Sequence, residues 1–499
     1  MLKINNLTII THTGRKLLDS FSFTLNEYDK VALIGEEGNG KSTILKIIAS
    51  IDVENYATYT GTINCDGKIG YLPQNIEDRY LEYNVIDYIS NDIDYNHLYS
   101  FLNKINVDPS LFDQKIKTLS GGEKVKIALL KIMYTMPDVL LLDEPTNDLD
   151  IKTLVWLEEF IKNSSIPILF VSHDETLLEN CSNGILLLEQ LKRKSETHIS
   201  YSGCGYKEFM KRRNAYIVRN NMIAAKEKSE FNKQLQKWRQ IYQKVEYQQR
   251  NISRQDPHGG QLLKKKMHAV KAMGKKMEEK KANLTQNYEP EEAIDIFFEK
   301  VEINPNKVIL DYHLDTLKVE DKILAKNIDL KVLAKHKICI IGENGVGKST
   351  LIKKIWEYLK TRDDIHPFYM PQNYDEVLDY DSTPVDYLWD KKRKEDRGKV
   401  QSFLGALKFT SEEMEHKIKE LSQGQKCKLL LIKAILDKAD VLVLDEPTRN
   451  LSPLSNPKIR EILCDYQGSI IAISHDRKFV EEVANEVYEL SENGITKID

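Results

Sequence analysis

A glycine-rich pattern of nine residues occurs twice in this chain. It reads GEEGNGKST from Gly35 to Thr43 and GENGVGKST from Gly342 to Thr350, and both copies fit G-x-x-x-x-G-K-[ST]. Each copy follows a short apolar run, Val31–Ile34 in one case and Ile338–Ile341 in the other. A strand that leads into a glycine-rich turn and then a helix is the context of a phosphate-binding P-loop. Two copies with the same flanks predict a duplicated nucleotide-binding domain.

The two P-loops supply the first set of candidate ligands. Glycines let backbone N–H groups close around phosphates, the lysine reaches the terminal phosphates, and the serine after it can hold Mg²⁺. The candidates are Gly35, Gly38, Gly40, Lys41, Ser42 and Thr43 in the first copy and Gly342, Gly345, Gly347, Lys348, Ser349 and Thr350 in the second.

Two adjacent carboxylates follow a second apolar run in each copy. Val139–Leu142 leads into Asp143 and Glu144, and Val441–Leu444 leads into Asp445 and Glu446. Each run is typical of a buried parallel strand, whose C-terminal end is where α/β sheets bind ligands. We expect Asp143 and Asp445 to support Mg²⁺, and Glu144 and Glu446 to polarise the attacking water.

A Ser-His-Asp sequence recurs at the same distance from these carboxylates. His173 follows Asp143 by 30 residues, and His475 follows Asp445 by 30 residues. A single histidine after a strand is usually structural. Two at equal offsets favour a catalytic contact with the γ-phosphate.

A small-residue turn precedes a long, mostly apolar segment in each copy. It reads LSGGE at Leu119–Glu123 and LSQGQ at Leu421–Gln425. Free N–H groups and the helix dipole make such a helix start an anion site, although an ordinary N-cap has the same residues. The nucleotide-binding candidates here are Ser120, Gly122, Ser422 and Gly424.

In this order the motifs resemble those of the ABC ATPases: Walker A, Q-loop, signature, Walker B, D-loop and H-loop. The Q-loop residues are Gln74 in YLPQ and Gln372 in YMPQ. The resemblance implies a head-to-tail pair of domains with two ATP molecules between them. Each site joins the P-loop of one copy to the signature of the other. It also implies Mg²⁺ ligands at Ser42, Gln74, Asp143, Ser349, Gln372 and Asp445.

The length of 499 residues exceeds a single core and predicts two or three domains. No apolar run is long enough to cross a membrane, and the N-terminus lacks the pattern of a signal peptide. The six cysteines show no paired spacing, which indicates free thiols and a cytoplasmic location.

Positive charge is concentrated in the middle of the chain. Residues 206–287 contain 21 Lys and Arg against 7 Asp and Glu, a net charge of +14, whereas the whole chain carries −4. The remaining residues therefore carry −18. A strongly basic segment between two acidic ones predicts a polyanionic partner.

This basic segment has two apolar stripes with heptad-like spacing, which predict an antiparallel helical hairpin. We expect the first helix to run from Tyr206 to Arg250, a turn at Asn251–Gly260, and a second helix that ends before Pro290. The stripes are Phe231, Leu235, Trp238, Tyr242 and Val245, and then Leu263, Met267, Val270, Gly274 and Met277.

The hairpin is either a solvated spacer or a probe that contacts nucleic acid. Lysines and arginines neutralise phosphates, and side chains near the tip cannot be buried by two helices. Trp238 and Tyr242 fit the seam between the helices better than base stacking. The contact candidates are Arg250, Arg254, His258, Lys264, Lys265 and Lys266.

Two ABC ATPase domains joined by a basic helical hairpin resemble the ABC-F family. The stretch TRNLSPLSNP at Thr448–Pro457, together with LSQGQ, is similar to its antibiotic-resistance subgroup. The resemblance implies an α/β fold with two tandem ABC-type P-loop ATPase domains joined by a long α-helical hairpin linker. The expected bounds are 1–204, 205–290 and 291–499.

For that subgroup the resemblance implies ATP-dependent protection of the bacterial 70S ribosome. The protein would bind near the E site and insert its hairpin toward the peptidyl-transferase centre. There it would meet 23S rRNA and P-site tRNA and displace lincosamide, pleuromutilin and streptogramin A antibiotics. The resemblance also implies a monomer whose two ATPase domains pair within one chain, without a membrane partner. Two alternatives are a housekeeping ABC-F factor and the ATPase subunit of a drug exporter, which gives the hairpin no role.

The two ATP sites are predicted to be unequal. Gln423 and Gln425 replace the glycine and the acid of the usual signature, and Ser452 stands where the first copy has Asp150. His12 is the residue of the first copy that we expect near the adenine, and Leu317–Lys322 offers no aromatic equivalent.

Overall fold

The computed structural model describes residues 1–90, 94–147, 149–191, 196–251, 257–288, 298, 303–320, 322–389 and 397–498. The chain forms two compact units, of which one combines Met1–Tyr206 with Glu291–Asp499 and the other is Lys207–Pro290. Below, residues 1–206 are the first copy and residues 291–499 are the second copy. No helix in the described part of the chain combines the length and apolar character that a membrane crossing requires.

The first copy is an α/β domain. Its strands are β1 (Leu2–Thr11), β2 (Lys16–Leu25), β3 (Lys30–Gly35), β4 (Ala57–Cys65), β5 (Ile69–Leu72), β6 (Val139–Asp143), β7 (Ile168–Val171), β8 (Gly184–Leu191) and β9 (Glu196–Ser202). Its helices are α1 (Lys41–Ile48), α2 (Val85–Ile89), α3 (Tyr95–Ile105), α4 (Gly121–Tyr134), α5 (Ile151–Asn163) and α6 (Glu175–Cys181).

The strands of the first copy form two sheets. A six-stranded sheet has the order β5-β6-β7-β3-β8-β9, and a three-stranded sheet has the order β2-β1-β4. The strands from β5 to β8 in the larger sheet pair in parallel, and β9 pairs antiparallel to β8. Every residue of β3 and β6 is buried, because helices cover both faces of a parallel sheet. Because β3 and β6 run parallel in the same sheet, the P-loop and the paired carboxylates lie at the same end of that sheet.

The second compact unit is a helical hairpin of α7 (Tyr206–Arg250) and α8 (Pro257–Ala282). The helices run antiparallel, since Nε1 of Trp238 donates to the carbonyl oxygen of Val270 at 2.9 Å and Nζ of Lys280 donates to Oε1 of Gln234 at 2.8 Å. Val245, Met267 and Val270 form the seam with Trp238 and Tyr242 packed against them, as the apolar stripes predict.

Glycine is required at one position of this seam. A Cβ at Gly274 would lie 2.9 Å from Cζ2 of Trp238. The indole therefore fills the space that any larger residue would need.

One boundary of the predicted hairpin is wrong. Residues 257–260 were expected in the turn, but they form the first turn of α8. Proline is favoured at the first position of a helix, where its fixed φ fits and no N–H is needed, so the helix starts at Pro257. The candidate Arg254 lies outside the described residues. The side chain of Arg250 is 76% exposed and pairs with Glu246.

The second copy repeats the architecture of the first. Its strands are β10 (Val308–Val319), β11 (Lys322–Leu333), β12 (Lys337–Ile341), β13 (Pro367–Met370), β14 (Val441–Asp445), β15 (Ser469–Ile473), β16 (Glu486–Ser491) and β17 (Gly494–Ile498). Its helices are α9 (Lys348–Leu359), α10 (Pro384–Leu388), α11 (Arg397–Ala406), α12 (Ser411–Glu415), α13 (Gln423–Leu436), α14 (Asn456–Asp465) and α15 (Arg477–Val483). The larger sheet has the order β13-β14-β15-β12-β16-β17, which matches the first copy strand for strand.

Candidate functional site

Each P-loop is closed by its own lysine. Nζ of Lys41 donates to the carbonyl oxygens of Gly35 (2.9 Å) and Glu36 (3.1 Å). Nζ of Lys348 makes the same two bonds in the second copy, to Gly342 (2.8 Å) and Glu343 (2.9 Å). Both loops thus hold their ammonium group over the turn, where phosphates would lie.

The last glycine of each loop is required by the backbone. Gly40 has a φ of 91° and Gly347 a φ of 103°, and each is the N-cap of the helix that follows. This left-handed region strains any residue with a Cβ.

In each copy the P-loop serine is hydrogen-bonded to the Walker B aspartate, as expected for two residues that hold one cation. Oγ of Ser42 donates to Oδ1 of Asp143 at 2.9 Å, and Oγ of Ser349 donates to Oδ1 of Asp445 at 3.4 Å. Oδ2 of Asp445 is buried and has no hydrogen-bond partner. Burial raises the pKa of Asp445 to about 6. A hydroxyl next to an unpartnered carboxylate oxygen suits Mg²⁺, which prefers oxygen ligands.

A tyrosine of the first copy also contacts this site. The hydroxyl of Tyr71 donates to Oδ2 of Asp143 at 3.1 Å. In the second copy Tyr369 holds the equivalent place before the Q-loop, and its buried hydroxyl has no partner. Both tyrosines stand three residues before the Q-loop glutamine, a position that the sequence alone does not mark as functional.

Glu144 is held by three side chains. Nε2 of His173 lies 3.1 Å from its Oε1, while Nε2 of Gln74 (2.9 Å) and Nδ2 of Asn147 (2.8 Å) donate to its Oε2. Burial raises the pKa of Glu144, but the hydrogen bond and charge of His173 outweigh burial and, with Asn147, lower the pKa to about 2. Glu144 is therefore an ionised carboxylate at neutral pH, and Gln74 lies next to it.

Glu446 lies in a different electrostatic setting. It accepts the backbone N–H of His475 at 3.2 Å, and Nε2 of His475 is 3.7 Å from its Oε1. Burial raises the pKa of Glu446 to about 8, whereas burial and the charge of Lys348 lower the pKa of His475 to about 4. The pKa values of Glu144 and Glu446 are therefore shifted in opposite directions, so the two copies differ in the electrostatics of equivalent residues.

Both glutamates share one backbone feature. The φ of Glu144 is 49° and that of Glu446 is 55°, a left-handed conformation that is uncommon outside glycine. Strain of this kind is found at active sites, where the surrounding structure holds a side chain in place.

The second P-loop faces the signature of the first copy across a cavity of about 570 Å³. Gly345, Lys348 and Ser349 line one side, and Ser120 and Gly121 line the other. Gln372, Asp445, Glu446 and His475 line it as well. The described residues of this lining include no Phe, Tyr or Trp, and Leu324 lies beside Gly347 of the loop.

The first P-loop contacts the second copy directly. Oε2 of Glu37 accepts the N–H of Gly424 at 2.5 Å. Oε1 of Glu36 accepts from the hydroxyls of Ser452 (2.5 Å) and Ser455 (2.7 Å). The structure therefore brings each P-loop to the opposite signature, the arrangement that the ABC resemblance implies.

Both signature serines act as N-caps as well. Ser120 and Glu123 form a reciprocal capping box at α4, and Ser422 and Gln425 form one at α13. Gln425 therefore performs the capping role of the acid it replaces. The structure thus shows an N-cap at each signature, and binding of an anion there stays a prediction.

A buried ionic contact away from the P-loops also joins the copies. Nη1 of Arg460 lies 2.5 Å from Oε1 of Glu175, and Nη2 lies 3.2 Å from Oε2. Arg477 pairs with Asp174 at 3.2 Å and also with Glu158. Sequence reasoning missed this network, because nothing in the local pattern around Arg460 marks it as buried.

Comparison with known proteins agrees with this geometry. A family model described as ABC transporter matches residues 18–147 and 325–449, just over half of the chain. The ATP-binding protein Uup of Buchnera aphidicola subsp. Acyrthosiphon pisum (strain APS) is 30% identical over 537 residues, covering 99% of this chain and 81% of that protein. The chain belongs to the ABC-F family of ATP-binding cassette ATPases.

A second relative of this ABC-F protein is the ribosome protection protein VmlR of Bacillus subtilis (strain 168). It is 29% identical over 533 residues, which cover 99% of this chain and 88% of that one. Among solved structures, an archaeal ribosome recycling factor aABCE1 in complex with the ribosomal stalk protein aP1 has a TM-score of 0.61 at 16% identity. It covers 99% of this chain and 90% of its own, and it supports the fold of two tandem cassettes.

Proposed function

We propose that this ABC-F protein is a cytoplasmic, ATP-dependent ribosome-protection factor. It binds the bacterial 70S ribosome near the E site and inserts its hairpin toward the peptidyl-transferase centre, where 23S rRNA and P-site tRNA lie. There it displaces lincosamide, pleuromutilin and streptogramin A antibiotics. The observation that carries the proposal is a basic hairpin, net +14 over residues 206–287, inserted in the sequence between two paired ATPase copies.

The hairpin has the properties of a probe for nucleic acid. His258 and Lys264–Lys266 are exposed on α8, and Arg250 is exposed at the end of α7. Exposed lysines and arginines neutralise phosphates without reading sequence. Trp238 and Tyr242 pack in the seam, so they hold the two helices together. Tyr247 is 70% exposed and is available to stack on a base.

The ATPase copies supply the switch in this proposal. The P-loop lysines bind phosphates, and each Walker B glutamate orients a water for attack on the terminal phosphate. When bound, Mg²⁺ neutralises charge that develops on the phosphate oxygens. Ser42 and Asp143 would hold it in the first copy, and Ser349 and Asp445 in the second. Because each site draws residues from both copies, ATP joins them and hydrolysis frees them.

Relatives support this assignment by what their names state. VmlR is a ribosome protection protein, and aABCE1 is a ribosome recycling factor. A second candidate is a housekeeping factor that relieves stalled ribosomes without any drug. The nearly equal identities to Uup (30%) and VmlR (29%) favour neither reading over the other. Within the chain, the LSQGQ signature and the TRNLSPLSNP stretch favour protection.

Drug susceptibility and ribosome pelleting separate these functions. A drug-sensitive bacterium carrying the gene should show raised minimum inhibitory concentrations for lincomycin, tiamulin and virginiamycin M. The matched control, Lys41→Ala with Lys348→Ala, should lose that protection. Removal of residues 252–256 should keep ATP-dependent pelleting with ribosomes and also lose protection, because a shorter hairpin no longer reaches the drug. Pelleting without protection by the wild type would favour the housekeeping factor, and no pelleting would overturn both.

A further inference from the structure

The first P-loop has an acidic residue that the second lacks. Glu36 and Glu37 stand where the second copy has Glu343 and Asn344. Oε2 of Glu37 accepts the N–H of Gly424 at 2.5 Å. Gly424 lies in the first turn of α13, the signature helix of the opposite copy. A P-loop carboxylate thus accepts a hydrogen bond from a backbone N–H of the opposite signature.

The neighbouring Glu36 fixes this contact in place. Its Oε1 accepts from Ser452 and Ser455, and its Oε2 lies 3.8 Å from Nζ of Lys428, whose side chain is only 8% exposed. Ser452 is the residue that replaces the D-loop acid. The P-loop segment that carries Glu37 is therefore anchored to the opposite copy at a second point.

The signature is shaped closely around the Glu37 carboxylate. A Cβ at Gly424 would lie 3.1 Å from Oε2 of Glu37 and 3.0 Å from the carbonyl oxygen of Asn450. A side chain at this position would therefore crowd the contact with Glu37. Burial raises the pKa of Glu37, while the charges of His173 and Lys41 and the N–H of Gly424 favour its ionised form.

A terminal phosphate and this carboxylate require the same partner. Free N–H groups at the start of a helix attract anions, and the helix dipole adds to the effect. An N–H shared between two oxygens binds each more weakly than one alone, and two anions side by side repel each other. We propose that Glu37 is an internal competitor for the terminal phosphate of ATP at the first site. This inference rests on the proposed role of the signature in binding ATP.

The second site provides the natural comparison. Asn344 is neutral and lines the cavity together with Ser120 and Gly121 of the opposite signature. Glu343, the counterpart of Glu36, pairs with Lys152 at 2.6 Å instead of with hydroxyls. The competing carboxylate is thus specific to the first site, and ATP binds the two sites with different affinities.

The test measures nucleotide affinity at one site at a time. In a Lys348→Ala background, which disables the second P-loop, fluorescent ATP and ADP analogues are titrated against Glu37 and Glu37→Gln proteins. Hydrogen bonds to charged groups are stronger than those to neutral groups. Replacing the Glu37 carboxylate by an amide should therefore weaken the competing bond and tighten ATP binding about tenfold. ADP binding should stay unchanged, because ADP has no terminal phosphate in that position. The matched variant Asn344→Glu, in a Lys41→Ala background, should weaken ATP binding.

The outcomes separate this idea from its alternatives. Equal or weaker ATP binding by Glu37→Gln would overturn it, as would an equal tightening of ADP. Unchanged ADP binding also reports that the variant is folded. Ribosome pelleting tests the proposed function independently. A protein that does not pellet with ribosomes can still show competition between Glu37 and ATP, and a protein that pellets can lack it.

Discussion

The Nδ1 atom of His173 lies 2.6 Å from the carbonyl oxygen of Leu451, a residue of the opposite copy. The other ring nitrogen of the same histidine contacts the carboxylate of Glu144. One side chain therefore connects the proposed catalytic glutamate of the first site to the D-loop across the interface. Separation of the two copies would break the Leu451 contact and remove one constraint on the His173 ring. His173 therefore contacts the first-copy glutamate and the second-copy D-loop at the same time.

We expect the double variant Glu144→Gln with Glu446→Gln to bind ATP without turning it over. The amides keep the shape of the side chains but cannot polarise water, so the ATPase rate should fall by at least about 100-fold. ATP affinity should stay within about twofold of the wild type, because Lys41 and Lys348 are intact. The variant should also accumulate on ribosomes in pelleting assays. Normal turnover would refute the catalytic assignment.

The single variants should differ in their pH dependence. The pKa of Glu446 is raised to about 8, so its basic form increases as the pH rises through that value. The Glu144→Gln protein relies on Glu446, and its ATPase rate should increase about fivefold or more between pH 7 and pH 9. The Glu446→Gln protein relies on Glu144, whose pKa is about 2, and its rate should change little over that range. Parallel pH profiles would count against unequal sites.

Loss of the Arg460 guanidinium should destabilise the paired copies. Arg460→Met leaves Glu175 buried without its bidentate partner, and breaking such a pair costs about 3–5 kcal/mol. Chemical denaturation would measure the loss. Lys458 on the same helix forms an exposed pair with Glu461, so Lys458→Met is a matched control that should cost less than about 1 kcal/mol. Similar losses in the two variants would contradict the role of the buried pair.

Charge reversal at Lys264, Lys265 and Lys266 should weaken ribosome binding. These exposed side chains are consecutive in α8, and phosphate contacts by lysines are weakened by salt. The affinity loss should be measured in pelleting assays across a salt series. The plot of log affinity against log salt concentration should become less steep, by the amount expected for the loss of about two to three phosphate contacts. The ATPase rate in the absence of ribosomes is the control and should not change.

The sequence alone determined the features that depend on short-range patterns. The two P-loops, the capping boxes at Ser120 and Ser422, and the seam around Trp238 follow from residues a few positions apart, because helices and turns are local. Family resemblance added the pairing of each P-loop with the opposite signature. The turn of the hairpin was placed wrongly over 257–260, because glycines suggest a turn while Pro257 permits a helix start.

Tertiary structure decided what separates two nearly identical motifs. Glu144 and Glu446 share the sequence Asp-Glu-Pro-Thr, but His173 and Gln74 bond to the first glutamate, whereas burial dominates at the second. Asn147, which also bonds to Glu144, is the one difference that the local sequence shows, since Arg449 stands in its place in the second copy. Gly424, which bonds to Glu37, and Glu175, which bonds to Arg460, each stand hundreds of residues from their partner. Desolvation and long-range contacts exist only after packing, since they depend on which distant side chains share a buried volume.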